Sequence, residues 1–239
     1  TFMMSDGTGN GFIENSPGQY IFSQRTNFVD INNDGNLDAF VCHDVAPNVY
    51  YLNDGNNNLE YHQGGIGDYP SGGHYGSLWV DYNNDGLIDM HMSKCGGEEE
   101  RYTDNLFRNA AMANMDNKTQ TWSTAWADFN NDGFMDAMIG VSSFNTGGQK
   151  LMKNNGDGTF TDVTAGSGFD NFNHTSWIYA PADFNNDGFV DVYGSGNKVM
   201  INNGDMTFTP VNVPFSTASI GDLNNDGFLD AFNFGQVYF

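Results

Sequence analysis

Basic side chains are scarce. Only 8 Lys and Arg stand against 30 Asp and Glu in 239 residues, giving a formal charge of −22. A chain of that sign repels nucleic-acid phosphates and anionic lipid headgroups, so no nucleic-acid partner is expected. Cysteine is nearly absent. Cys42 and Cys95 form no Cys-x-x-Cys pair, which leaves no support for a zinc ribbon or a thioredoxin-like site. No apolar run approaches the ~18 residues of a membrane span, so no membrane insertion is expected. The first residues lack a basic region followed by an apolar stretch, so no signal peptide is expected in them. His43, His62, His74, His91 and His174 show no His-x-His or His-Glu-x-x-His spacing, and structural roles are expected for them. There is no Ser/His/Asp set, phosphate-cradling glycine loop or dinucleotide fingerprint. Gly194-Ser195-Gly196 lies in a strand connection. These absences point away from an enzyme.

Proline is also sparse, at 6 residues, whereas glycine is frequent, at 30. Many glycines with few prolines suit tight turns between strands better than a disordered linker. Hydrophobic residues make up 38% and aromatics 15%, enough for a core. One unit repeats. Asp30-Ile31-Asn32-Asn33-Asp34-Gly35-Asn36-Leu37-Asp38 recurs at 81–89, 128–136, 183–191 and 222–230, with start-to-start spacings of 51, 47, 55 and 39 residues. Each copy follows a short apolar segment, such as Leu78-Trp79-Val80, and precedes another, such as Ala137-Met138-Ile139. A third run follows, as in Val49-Tyr50-Tyr51-Leu52. An Asn-Gly or Asp-Gly turn then leads to a fourth, as in Asn203-Gly204-Asp205 to Phe208-Thr209. The unit reads as four antiparallel strands in about 48 residues, the size of a propeller blade. The expected fold is therefore all-β, one domain over 1–239 built of about five four-stranded blades. Phe2 to Gly7 and Gly11 to Ile13 read like the third and fourth strands of a blade, and Val237-Tyr238-Phe239 reads like a third strand. Two readings of these ends stay open: a ring closed by pairing the termini, or a piece of a longer propeller.

The loops themselves point to calcium. Calcium takes about six to eight hard oxygens in flexible geometry. Positions 1, 3, 5 and 9 of each loop offer Asp, Asn, Asp and Asp, position 7 offers its carbonyl, and Gly at position 6 permits the sharp turn. The candidate ligands are Asp30, Asn32, Asp34, Asn36 and Asp38 in loop one, and Asp81, Asn83, Asp85, Leu87 and Asp89 in loop two. Loop three supplies Asp128, Asn130, Asp132, Phe134 and Asp136, and loop four Asp183, Asn185, Asp187, Phe189 and Asp191. Loop five supplies Asp222, Asn224, Asp226, Phe228 and Asp230. An EF-hand is rejected, because position 12 holds Val41, Met92, Ile139, Gly194 and Asn233 where that motif needs a bidentate Glu, and the flanks are strands. Fifteen of the 30 acids belong to the loops, and five Ca²⁺ would bring −22 to −12.

These loops, with passages such as Lys150-Leu151-Met152-Lys153-Asn154-Asn155-Gly156-Asp157-Gly158-Thr159-Phe160-Thr161-Asp162-Val163 and Leu37-Asp38-Ala39-Phe40-Val41-Cys42-His43-Asp44, resemble the FG-GAP/VCBS repeat family and its secreted bacterial members with CRTAC-like, integrin-α-like repeats. The resemblance implies a β-propeller with one Ca²⁺ between the first two strands of each blade, and a secreted or cell-surface location. Members often have seven blades, so five loops fit either five blades or part of a seven-bladed ring.

Other features carry two readings each. Cys42 and Cys95 fall at the ends of second strands in adjacent blades. That placement allows a disulfide, and the alternative is two buried thiols. Trp79 and Trp126 read as core, while Trp122 and Trp177 could reach a rim and stack on sugars. Glu98-Glu99-Glu100-Arg101 reads as a solvated run in an insertion, with paired-carboxylate glycosidic chemistry as the other reading. Asn117-Lys118-Thr119 and Asn173-His174-Thr175 fit the glycosylation sequon. The function expected is an extracellular, calcium-stabilised, non-enzymatic binding or adhesion module for a glycan or surface protein. The alternatives are a self-associating subunit of a filament or surface layer, and a polysaccharide-active enzyme.

Overall fold

The fold was taken from a computed structural model, which describes residues 1–56, 58–66, 72–94, 105–106, 115, 121–141, 149–169, 179–194 and 196–238. Among these residues every regular element is a β-strand. The chain divides into two compact units, Thr1–Ser77 and Leu78–Phe239, the division falling within β7 (His74–Val80).

In the first unit, β1 (Phe2–Ser5) and β2 (Phe12–Asn15) form a two-stranded hairpin, as the third- and fourth-strand reading of this segment anticipates. Next come β3 (Ser23–Val29), β4 (Asp38–His43), β5 (Val49–Asn53) and β6 (Leu59–Gln63), paired in that order as an antiparallel sheet. Strand β4 is buried along its whole length. On one of its faces Ala39 and Val41 pack with Val49 and Tyr51, and Phe2 of β1 closes that cluster with its ring 5.0 Å from Tyr51. A polar cluster completes the unit. Ser77 Oγ donates to Asn27 Oδ1 at 2.7 Å, His74 Nδ1 lies 3.1 Å from the His43 carbonyl, and Asn48 Oδ1 accepts the His43 N–H.

The second unit repeats the same meander. β7, β8 (Asp89–Lys94) and β9 (Asn105–Leu106) form a three-stranded sheet. β10 (Thr121–Ala127), β11 (Asp136–Val141), β12 (Lys150–Asn154) and β13 (Phe160–Asp162) form a four-stranded one. So do β14 (Tyr179–Ala182), β15 (Asp191–Gly194), β16 (Lys198–Asn202) and β17 (Phe208–Asn212). β18 (Ser219–Gly221), β19 (Asp230–Asn233) and β20 (Gln236–Tyr238) form a three-stranded sheet. Four strands per unit thus hold for the first, third and fourth repeats, and three are described in the second and fifth.

The second strands explain why the sheets stack. Alternate residues of a strand point to opposite faces, and here both faces find apolar partners. In β11, Ala137 and Ile139 join a core with Tyr82, Trp126, Met152 and Phe160, while Met138 faces the other way into a core with Phe129, Leu151, Val192, Met200 and Phe208. In β15, Val192 lies in that second core and Tyr193 in a third, with Val199, Phe215 and Ala231. Burial on both faces gives continuous apolar runs, as in Ala137-Met138-Ile139. Pro181 is tolerated because β14 is an edge strand, where a missing N–H costs no ladder bond.

Candidate metal centres

In each repeat the Asp-rich loop joins the first strand to the second. Position 9 starts the second strand and pairs with the residue just before position 1: Val29 with Asp38, Ala127 with Asp136, Ala182 with Asp191 and Gly221 with Asp230. Inside the loop the side chains fold back onto the main chain, as short Asx side chains do at turns. In loop four, Asp183 Oδ1 accepts the Asp187 N–H at 3.1 Å and Asp183 Oδ2 accepts the Gly188 N–H at 2.9 Å. Asn185 Oδ1 accepts the Asp187 N–H as well, at 3.0 Å, and Asn185 Nδ2 donates to Asp187 Oδ2 at 2.8 Å. Asp187 Oδ1 accepts the Phe189 N–H at 2.9 Å. The other four loops repeat these five bonds, for example at Asp30, Asp81, Asp128 and Asp222, each of which takes the glycine N–H at 2.7–2.9 Å.

Two positions in each loop turn the backbone left-handed. Gly at position 6 has φ between 82° and 91° in all five. Position 4 does the same with asparagine: Asn33, Asn84, Asn131, Asn186 and Asn225 have φ between 57° and 61°. Asparagine is the non-glycine residue that tolerates this region best. Its recurrence at position 4 in all five loops was the signal in the sequence, and spacing alone did not decode it.

Position 9 differs from the other carboxylates. Asp38, Asp89, Asp136, Asp191 and Asp230 are at most 4% exposed, whereas positions 1, 3 and 5 are exposed or half-buried. Asp38, Asp136, Asp191 and Asp230 accept the N–H of position 2 on Oδ2, at 2.8–3.1 Å. The Oδ1 atoms of Asp38, Asp136 and Asp191 accept the N–H of Asn53, Asn154 and Asn202, at 2.7–2.8 Å, from the end of the third strand. The position-9 carboxylate is therefore a clamp between loop and sheet, a task the ligand pattern did not reveal. Burial pushes the Asp136 carboxyl up to about 6 even against the two N–H donors, and raises Asp191 in the same way. By contrast, the N–H of Asn36 and the amide of Asn32 hold exposed Asp34 below the usual carboxylate range.

The donor set is one that a hard divalent cation takes. Each loop presents carboxylate, amide and carbonyl oxygens on one tight turn. Asp136 and Asp191, buried with their pKa raised, are groups that a cation would relieve. The side chains are turned onto N–H donors, and among the described residues no three His, Cys, Asp or Glu side chains converge into a metal-holding group. The fit therefore lies in donor chemistry and in the shared turn. In loop three a protein cation is present: Lys153 Nζ lies 2.6 Å from Asp132 Oδ2.

Outside the loops, Cys42 is a free, buried thiol with Sγ 3.6 Å from Ser77 Oγ, and burial pushes its pKa up to about 11. Its expected disulfide partner, Cys95, lies outside the described residues. So do Glu98 to Arg101, the two sequons with His174, Trp177 and the side chain of Trp122. Trp126 is 9% exposed and sits in the core as expected, packed on Tyr82 and Phe160.

Residues 30–92 and 140–194 match the family model of the FG-GAP-like repeat. The first match runs from loop one to the third strand-β8 residue after loop two, and the second carries loop four. Both stretches are FG-GAP-like repeats, which supports an FG-GAP repeat family for the chain. No match was found among curated proteins.

Proposed function

We propose that the chain is a β-propeller, or part of one, in which each Asp-rich loop holds one calcium ion, and that it serves outside the cell as a non-enzymatic binding or adhesion module. The observation that carries this reading is the fivefold recurrence of one loop conformation, with positions 1, 3 and 5 at the surface and position 9 buried against the sheet. Stacked four-stranded meanders that share cores on both faces support a propeller. The FG-GAP family match supports it as well. Excess acid supports the cations: a compact chain at −22 repels itself, and five divalent ions offset nearly half of that charge. Surface loops with two accessible carboxylates and a third buried beneath them suit the weak, ~10⁻⁴–10⁻³ M affinities of extracellular calcium modules. The ligand would be a glycan or a surface protein, read by surfaces that the loops hold rigid.

The test combines native mass spectrometry with a glycan array and a polysaccharide turnover panel, each in calcium and in EGTA. Five ions per chain and calcium-dependent glycan or protein capture are expected. A chain that takes up no calcium overturns the metal reading. Turnover of a polysaccharide overturns the non-enzymatic one, and long calcium-dependent polymers replace adhesion with self-assembly.

A further inference from the structure

The second unit joins its loops to one another by side-chain amides. The left-handed asparagine of each loop reaches the position-6 carbonyl of the next. Asn84 Nδ2 donates to the Gly133 carbonyl at 2.8 Å, Asn131 Nδ2 to Gly188 at 3.1 Å, and Asn186 Nδ2 to Gly227 at 3.0 Å. A second strap runs the other way. Asn154 Nδ2 donates to the Met135 carbonyl of its own loop at 3.0 Å and to the Tyr82 carbonyl of the preceding loop at 2.7 Å. Asn202 Nδ2 likewise reaches Val190 at 3.0 Å and Phe129 at 2.7 Å.

These straps connect with the buried carboxylates. The Asn202 N–H is held by Asp191, and its amide holds the Phe129 carbonyl. The Phe129 N–H is held by Asp136, which also holds the Asn154 N–H, and the Asn154 amide holds the Tyr82 carbonyl. A continuous hydrogen-bonded path thus passes from loop four through loop three to loop two, by way of two position-9 carboxylates. Asn154 and Asn202 are at most 2% exposed, so water does not compete for these bonds.

We infer that loops two, three and four bind calcium cooperatively, the coupling being carried by the amide-to-glycine straps of Asn84 and Asn131. This rests on the calcium reading above. An ion that fixes the turn of loop three also fixes the Gly133 carbonyl that receives Asn84 and the Asn131 amide that reaches loop four. The neighbouring loops then lose less conformational freedom when they bind, which is positive coupling.

The test is a double-mutant cycle on the full chain, read by calorimetric titration with calcium. Asp128→Ala disables loop three. Asn84→Gly with Asn131→Gly removes the two amide-to-glycine straps, leaves the Asn154 and Asn202 bonds in place, and keeps the left-handed backbone that glycine adopts freely. Asn225→Gly, which makes none of the three amide-to-glycine bonds, is the baseline for a glycine at this turn. Disabling loop three is expected to weaken calcium binding at the remaining loops about 5-fold or more in the asparagine background, and to leave it unchanged in the strap-free one. Equal effects in both backgrounds, or no effect in either, overturn the coupling while leaving calcium binding intact. Absence of calcium uptake by the unaltered chain overturns the calcium reading instead. Where the strap-free variant does not hold its near-ultraviolet circular dichroism, Asn84→Gly alone with Asp128→Ala repeats the cycle on one strap.

Discussion

Asp191→Asn separates the two tasks of a position-9 carboxylate. Asp191 takes the Phe184 N–H at 2.8 Å on one oxygen and the Asn202 N–H at 2.7 Å on the other, in a fully buried site. An asparagine of the same shape keeps one acceptor and sets an NH₂ group against the other N–H. Hydrogen bonds to a charged acceptor contribute roughly 1.5–3 kcal/mol each, and an opposed buried donor adds its desolvation cost. The neutral amide, in turn, escapes the desolvation that raises the Asp191 pKa. The balance is a loss of about 2–3 kcal/mol without calcium, or a fall of roughly 4–12 °C in melting temperature for a chain of this length. In calcium at about 100 times its Kd, one lost site removes about 2.7 kcal/mol more. Asp187→Asn is the contrast. Its side chain is exposed, so the loss in EGTA should stay within about 0.5 kcal/mol, while the calcium increment disappears as before. Thermal melts of both variants in EGTA and in calcium give all four values. Equal melting temperatures of the two variants in EGTA would refute the clamp.

Three further outcomes follow from the same geometry. A Cβ on Gly204 would lie 2.7 Å from the tip of the Phe189 ring at φ +82°, whereas one on Gly158, at φ +83°, meets open space. Both alanine variants lose at least ~1 kcal/mol to backbone strain, and Gly204→Ala loses more, as urea unfolding of the pair would report. Cys42, at a pKa of about 11 against 9.0 for an ordinary thiol, should react with iodoacetamide about 100-fold more slowly than the urea-unfolded chain at pH 8, and intact mass measures the ratio. Asp136 sets a pH dependence. Its folded pKa of about 6 exceeds the 3.8 of an ordinary aspartate, so in EGTA the proton favours the folded state, an effect full below about 4 and lost as pH rises through about 6. On the calcium reading the cation competes with that proton, so the gap between the calcium and EGTA melting temperatures should shrink as pH falls from 7.5 to 5. A gap that stays constant removes Asp136 from the ligand set.

Much of this architecture was legible because its signals are local. Five copies of one nine-residue pattern marked the loops, and the apolar runs beside them became β3, β4, β7, β8, β10, β11, β14, β15, β18 and β19. Gly at position 6 announced a left-handed turn, since glycine alone adopts one without cost. The less visible features depend on partners far apart in sequence. Asn154 and Tyr82 are separated by 72 residues, and Asn202 and Phe129 by 73. Nothing in the text Asn-Asn-Gly distinguishes an amide that closes its own hairpin from one that also ties two loops together.

The sequence by itself determined the period, the strand order within each sheet and the turn of the loops, because turn preference and alternation are properties of neighbouring residues. Only the tertiary structure decided which carboxylates are surface oxygens and which are buried clamps. The same aspartate serves as either: all five position-9 carboxylates are buried where the second strand starts, and at three of them an N–H from the third strand arrives as well. In this chain it arrives at Asp38, Asp136 and Asp191 because sheet pairing brings Asn53, Asn154 and Asn202 to the start of the second strand.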